Sequence, residues 1–181
     1  MRKVMLGCFV VAVFAVPTFM QAAVTSSAIL TITGTVAGSI SLTVEDGAGA
    51  AGTNATITGS GSNAAATDLG TTFSKYGAAP TGWTKTLQGT TSWTLASNFG
   101  VKVEKANTAS TDYTLLAHLG TDPLTIVWKT GATPFVAVAD KNLTSTGAYG
   151  STVNYTWSVV IPDGLAAPDL ANTINFLATA N

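Results

Sequence analysis

Ala28-Ile29-Leu30-Thr31-Ile32-Thr33-Gly34-Thr35-Val36-Ala37-Gly38-Ser39-Ile40-Ser41-Leu42-Thr43-Val44 decides the fold class. Ala28, Leu30, Ile32, Gly34, Val36, Gly38, Ile40, Leu42 and Val44 fall on one parity, and Thr31, Thr33, Thr35, Ser39, Ser41 and Thr43 on the other. Only a strand sends alternate residues to opposite faces, so the run reads as one apolar face backed by one hydroxyl face. Gly34 and Gly38 are expected to mark a bend or bulge where the strand changes sheet.

The same alternation recurs down the chain. Tyr113, Leu115, Ala117 and Leu119 share a face, as do Val153, Tyr155, Trp157, Val159 and Ile161, and again Ile174, Phe176, Ala178 and Ala180. Strands are expected over Asp68–Ser74, Thr91–Ala96, Phe99–Lys105, Thr111–Leu119, Leu124–Lys129, Phe135–Val138, Thr152–Ile161 and Asn172–Ala180. Pro162-Asp163-Gly164 ends one of them as a turn. Many short strands with frequent turns and no helical period predict an all-β chain, an immunoglobulin-like or Greek-key β-sandwich. An outer-membrane barrel also alternates, but the aromatics here lie inside strands among apolar partners, not in girdles at strand ends. Between Glu45 and about Thr67 the sequence is rich in Gly, Ala, Ser and Asn. This 45–67 stretch reads as a mobile loop or edge hairpin holding little core, with only Ala55–Thr58 resembling a short strand.

The first residues have the layout of an export signal. Arg2 and Lys3 precede an apolar stretch from Val4 to Val16, Pro17 breaks it, and small residues follow at Ala22-Ala23. This predicts a cleaved signal peptide over 1–22 and a single domain over 23–181, secreted to the cell exterior or its surface. Cleavage removes Cys8, the chain's one cysteine, so no disulfide or thiolate metal site is expected in the processed protein. Charged residues make up 9% of the chain, against about 25% in ordinary globular domains. No basic cluster offers a face for nucleic acid.

No motif points to catalysis. Gly47-Ala48-Gly49-Ala50-Ala51-Gly52 has the spacing of a dinucleotide loop, but that motif works at the start of a helix. Thr53-Asn54-Ala55-Thr56-Ile57-Thr58 favours strand or loop, so no nucleotide is expected. His118 stands opposite the apolar face of its strand without clustered metal ligands. Several carboxylates flank Gly or Pro and read as turn residues. Cofactor, metal and catalytic residues are therefore expected to be none. Trp93, Trp128 and Trp157 read as core. Trp83 sits in Pro80-Thr81-Gly82-Trp83-Thr84 after Tyr76, where the two rings would either stack on a surface glycan or close the end of the sandwich.

Ala28–Val44, Val153–Ile161 and Ile174-Asn175-Phe176-Leu177-Ala178 together resemble secreted bacterial fimbrial subunits, including the spore-coat-U type. That resemblance implies an immunoglobulin-like sandwich that polymerises when the N-terminal strand of one subunit completes its neighbour. The expectation is a non-enzymatic structural or adhesive subunit of a pilus, matrix or cell surface, with Leu30, Ile32, Val36, Ile40 and Leu42 as the candidate self-assembly strand; the other reading is that the same strand pairs within its own chain, crossing between both sheets. The alternative is a carbohydrate-binding module using Tyr76 and Trp83. Pilins of the chaperone–usher class carry a disulfide and a penultimate aromatic, and this chain departs from both.

Overall fold

The structure is a computed structural model that describes residues 33, 35–50, 52–69, 74–122, 125–137, 139–165 and 170–181. The signal segment and residues 28–32 of the opening strand lie outside the described residues. Val36–Asn181 forms one compact unit.

Among the described residues there is no helix. The elements are β1 (Ser39–Asp46), β2 (Thr84–Gln88), β3 (Ser92–Ala106), β4 (Tyr113–Leu119), β5 (Val127–Thr130), β6 (Thr133–Pro134), β7 (Lys141–Gly147), β8 (Thr152–Pro162) and β9 (Ile174–Ala180). They form two antiparallel sheets, one ordered β1-β3-β8-β5-β6 with β2 also on β3, the other ordered β7-β4-β9. Hydrophobic clusters lie between them, built from Leu95, Phe99, Val101 and Val103 of β3, Val159 and Ile161 of β8, and Tyr113, Leu115, Ala117 and Leu119 of β4. The described strands thus make two separate sheets and not one closed ring.

β3 organises the larger sheet. It pairs with β8 from Ser92↔Pro162 to Lys102↔Thr152. Its other side is shared: β2 takes Ser92–Ala96 and β1 takes Phe99–Ala106. At the handover, buried Ser97 accepts the Ala55 N–H at 2.7 Å and donates to the Gly82 carbonyl at 2.9 Å, and Asn98 forms an isolated bridge with Asn54. A serine inside a core strand satisfies the backbone groups of two arriving loops, each of which would cost about 1–3 kcal/mol if buried unpaired.

Residues 45–67 hold more core than expected, while the antiparallel bridges Thr58↔Ala66 and Val44↔Ser62 fit the edge hairpin. Ala55 and Ile57 of that stretch are both buried, the first with Trp83 and Leu95, the second with Phe99 and Val101. Asp46 accepts the Ile57 N–H at 2.8 Å, and the segment is sewn to β1 by Val44 N–H to Ser62 O at 2.9 Å. Its small residues permit close approach, and it supplies core.

Other boundaries also shift. Thr91–Ala96 and Phe99–Lys105 merge into β3, because buried Ser97 and half-buried Asn98 keep the ladder continuous. β2 and β7 were not expected, since each contains a single large apolar residue, Leu87 and Leu143, and pairs through its backbone. Asp68, Leu69 and Ser74 lie outside any strand. Phe135 and Val136 are likewise outside strands, with Phe135 buried and Ala137 making only a bridge to Leu119. Gly38 stands just outside β1, in the non-strand segment 35–38. A Cβ there would lie 2.8 Å from the Asn107 carbonyl oxygen, so this glycine admits a close backbone approach just before β1. Gly34 lies outside the described residues.

Two phenols mark the other end of the core. Tyr113 packs on Tyr149 at 5.3 Å, and a Cβ on Gly147 would lie 2.3 Å from the Tyr113 ring, so glycine is required there. The hydroxyls of Tyr113 and Tyr155 are buried without a hydrogen-bond partner among the described residues. Burial, with a smaller repulsion between neighbouring phenols, raises the pKa of both above the ordinary value. A raised folded-state pKa means stability is intact below the unfolded value of about 10 and is lost as pH climbs through the folded-state values. Tyr155→Phe and Tyr113→Phe are therefore expected to be neutral or stabilising by up to about 1 kcal/mol in urea unfolding at neutral pH. Each should also blunt the loss of β-structure seen by circular dichroism as pH rises above about 10.

Candidate functional site

The feature most able to receive something lies between the sheets on the side formed by β1 and β9. A cavity of about 520 Å³ is walled by Leu42 and Val44 of β1, Phe99 of β3, Trp128 of β5, Trp157 of β8 and Ile174 and Phe176 of β9. Residues 63–67, Leu69 and residues 170–173 complete it. Its size lies within the range of about 300–1,000 Å³ usual for ligand pockets.

Aromatic rings make the floor. Trp157 contacts Trp83 at 5.1 Å and Trp128 at 5.6 Å between centroids, and meets Phe99 edge-on at 5.8 Å. Phe99 in turn touches Phe176 at 5.7 Å. Each such pair contributes about 0.5–1.5 kcal/mol beyond its buried area, so the floor is stiff. The strand parity explains the convergence. Ser97↔Trp157 and Trp128↔Val159 are register pairs on the inner face, and Phe176 faces inward opposite Ala117.

β9 is the second half of the site. It pairs with β4 along its full length, from Leu119↔Ile174 to Tyr113↔Ala180, and stands at the end of its sheet. Its sequence, Ile174-Asn175-Phe176-Leu177-Ala178-Thr179-Ala180, has neither charge nor proline. Proteins usually guard a sheet edge with those residues, because a bare row of N–H and C=O groups is a template for another strand. Ile174, Phe176 and Ala178 pack inward, while Leu177 is 52% exposed on the outer face beside Leu116.

The expected assembly residues divide. Leu30 and Ile32 lie outside the described residues. Val36 is 74% exposed, and Thr33 and Thr35 are exposed and outside strands. Ile40 and Leu42 belong to β1, which pairs with β3 of the same chain over Ser39↔Ala106 to Asp46↔Phe99. Their strand is thus paired inside its own sheet, and Leu42 lines the cavity.

The expected glycan pair also divides. Tyr76 is 85% exposed, with the Lys75 ammonium 5.5 Å from its ring centre. Trp83 is 4% exposed, packed on Trp157 and Ala55. It closes the sandwich and presents no ring face to a sugar, so the two rings do not form one platform. The Pro80–Trp83 turn, with Trp83 N–H donating to the Pro80 carbonyl at 3.0 Å, folds the indole inward.

His118 stands on the outer face of β4, where its Nδ1 lies 2.8 Å from Asp140 and its Nε2 lies 3.4 Å from the Asn175 amide. Its partner is thus Asp140, which comes from the turn before β7 and was not anticipated from the nearer Asp112 or Asp122. The Gly47–Gly52 stretch opens no helix among the described residues. Among those residues no group of three or more His, Cys, Asp or Glu side chains is placed to hold a metal ion. No protein-family description, curated protein or solved structure matches the chain.

Truncation separates the two rings. Trp83→Ala is expected to destabilise the domain by about 3–5 kcal/mol, whereas Tyr76→Ala should stay within about 0.5 kcal/mol. Urea unfolding of the two variants checks this.

Proposed function

We propose that the chain is an exported, non-enzymatic structural or adhesive subunit of a pilus, extracellular matrix or cell surface, which self-associates by adding an N-terminal strand to a neighbouring copy. The observation that carries this reading is the uncharged, proline-free edge of β9 beside an aromatic-floored cavity. An added strand finds backbone hydrogen-bonding groups on β9 and a recess for its alternate side chains.

The strand order supports a finer assignment. In an immunoglobulin-like sandwich, strands A, B, E and D make one sheet and C, F and G the other. Here β1-β3-β8-β5 follow the order A-B-E-D, and β4-β9 follow C-F, with β7 added beyond C. The position beside β9, where G would lie, has no partner among the described strands. The strand that fills it is taken from the alternating segment before β1, whose apolar row ends in the exposed Val36. Low charge across the chain leaves little electrostatic repulsion to oppose self-association.

Because β1 is needed by its own sheet, the decisive deletion stops short of it. Processed protein lacking Ala23–Val36 is expected to keep its β-type circular dichroism and to run as a monomer in light scattering, while the intact processed chain forms multimers visible by negative-stain microscopy. Multimers that survive the deletion would sink strand donation.

A further inference from the structure

We propose that Asn142 is a modification site, carrying an N-linked glycan that lies over the outer face of the smaller sheet. The proposal goes beyond the assembly reading and rests only on its premise that the chain is exported.

Asn-x-Thr triplets begin at Asn54, Asn142 and Asn154. Such a triplet is a sugar acceptor where it can be reached on the surface of an exported protein. In a chain rich in threonine the pattern alone does not separate the three, but their surroundings do. Asn54 is half-buried and tied at both ends of its carboxamide. Its oxygen accepts the Gly49 N–H at 2.9 Å and the Asn98 amide at 3.3 Å, and its nitrogen donates to the Gly49 carbonyl at 3.3 Å. Asn154 sits within the β3–β8 ladder opposite Gly100, its oxygen accepting the Ala48 N–H at 2.8 Å. The threonine of that triplet, Thr156, is engaged as well, donating to the Asn98 carboxamide oxygen at 2.6 Å.

Asn142 is held more lightly. It is exposed on β7, the end strand of its sheet, and its Nδ2 donates to the nearby Ser145 hydroxyl at 2.7 Å, a local bond that one rotamer change releases. The backbone is opened there too. Leu115 faces Thr144 and the next residue, Leu116, faces Asn142, so Leu143 is the extra residue of a bulge inside the triplet. A bulge bends its strand and leaves the extra residue outside the ladder, which frees this triplet from the straight, paired form that Asn154 keeps. Asn142 alone of the three also has a carboxylate two residues ahead, Asp140, for a cationic transferase surface to hold.

Transfer forms a bond from Asn142 Nδ2 to the anomeric carbon of a diphosphate-activated glycosyl donor. The bond from that carbon to the diphosphate oxygen breaks, and one amide proton passes to a base of the transferase. The sugar then has an apolar row to rest on. Asn142, Leu116 and Leu177 are register partners across β7, β4 and β9, and Leu177 is 52% exposed. Two strand spacings put Leu177 about 10 Å from Asn142, within the span of the first two sugar rings. The C–H faces of those rings cover the two leucines and take apolar surface out of water.

Mass spectrometry of the protein purified from the cells that make it reads the N-terminus and the three asparagines together. The expected result is a processed chain with sugar on Asn142, at ten-fold or greater occupancy over Asn54 and Asn154. Asn142→Gln and Thr144→Ala should each remove that sugar with β-type circular dichroism unchanged, and Thr144→Ser should keep it. Asn142→Gln should also raise the fluorescence of bound anilinonaphthalene sulfonate two-fold or more, and adding Leu177→Ser should cancel the rise. Processed chains bare at Asn142, or carrying sugar equally at Asn54 or Asn154, overturn the site while export stands. Bare chains that keep their leader overturn both. A sugar at Asn142 whose loss leaves the dye signal unchanged overturns its placement over the leucines.

Discussion

The ladder between β3 and β8 is the constraint on which everything else in the sandwich depends. Eleven register pairs, Ser92↔Pro162 through Lys102↔Thr152, align two inward rows, one of Trp93, Leu95, Ser97, Phe99 and Val101 and the other of Ile161, Val159, Trp157, Tyr155 and Val153. A slip of one residue would turn one of the two rows to solvent. The remaining strands take their places from this pair. β5 lays Trp128 against Val159, β1 and β2 share the far side of β3, and β4 packs its buried row across the gap. The cavity wall at Phe99 and Trp157 is part of the same ladder, so the site is set by the pairing that holds the fold together.

Ser97 shows how a polar side chain serves such a core. It stands in the one interval of β3 covered by neither β1 nor β2, and its hydroxyl meets the Ala55 N–H and the Gly82 carbonyl. The glycine- and alanine-rich stretch after β1 is thereby tied down, and Ala55 and Ile57 become part of the interior. With few charges and Ile57 the one large apolar side chain between Gly47 and Thr67, hydrogen bonds of Asp46, Asn54, Asn98 and Ser60 help to fasten the stretch. The consequence for the site is direct, since residues 63–67 and Ile57 both line the cavity.

What the sequence revealed follows from physics that acts locally. Alternation over Tyr113–Leu119 and Val153–Ile161 returned the buried faces of β4 and β8 residue by residue, because a half-buried strand writes its orientation into its own side chains. Ile174, Phe176 and Ala178 were legible as an inward row for the same reason. Their position at a sheet edge was not, since pairing is a property of β4, some sixty residues away in the chain. β2 and β7 escaped notice because backbone pairing, with one large apolar residue apiece, was enough to place them. Trp83 followed Pro80 and Gly82 like a surface turn residue. Only its contact with Trp157 and Ala55, both far along the chain, reveals it as core. The cavity has walls from five strands and was beyond any local pattern.

The linked indoles give the molecule an optical property of its own. Trp83, Trp157 and Trp128 form a chain with centroids 5.1 and 5.6 Å apart, close enough for excitation absorbed by any one ring to migrate to the others. Emission from this trio therefore reports on a shared environment, and two of its members, Trp128 and Trp157, border the recess beside β9. Filling that recess replaces solvent against their rings with hydrocarbon, so the protein's native fluorescence colour registers the event without any attached dye.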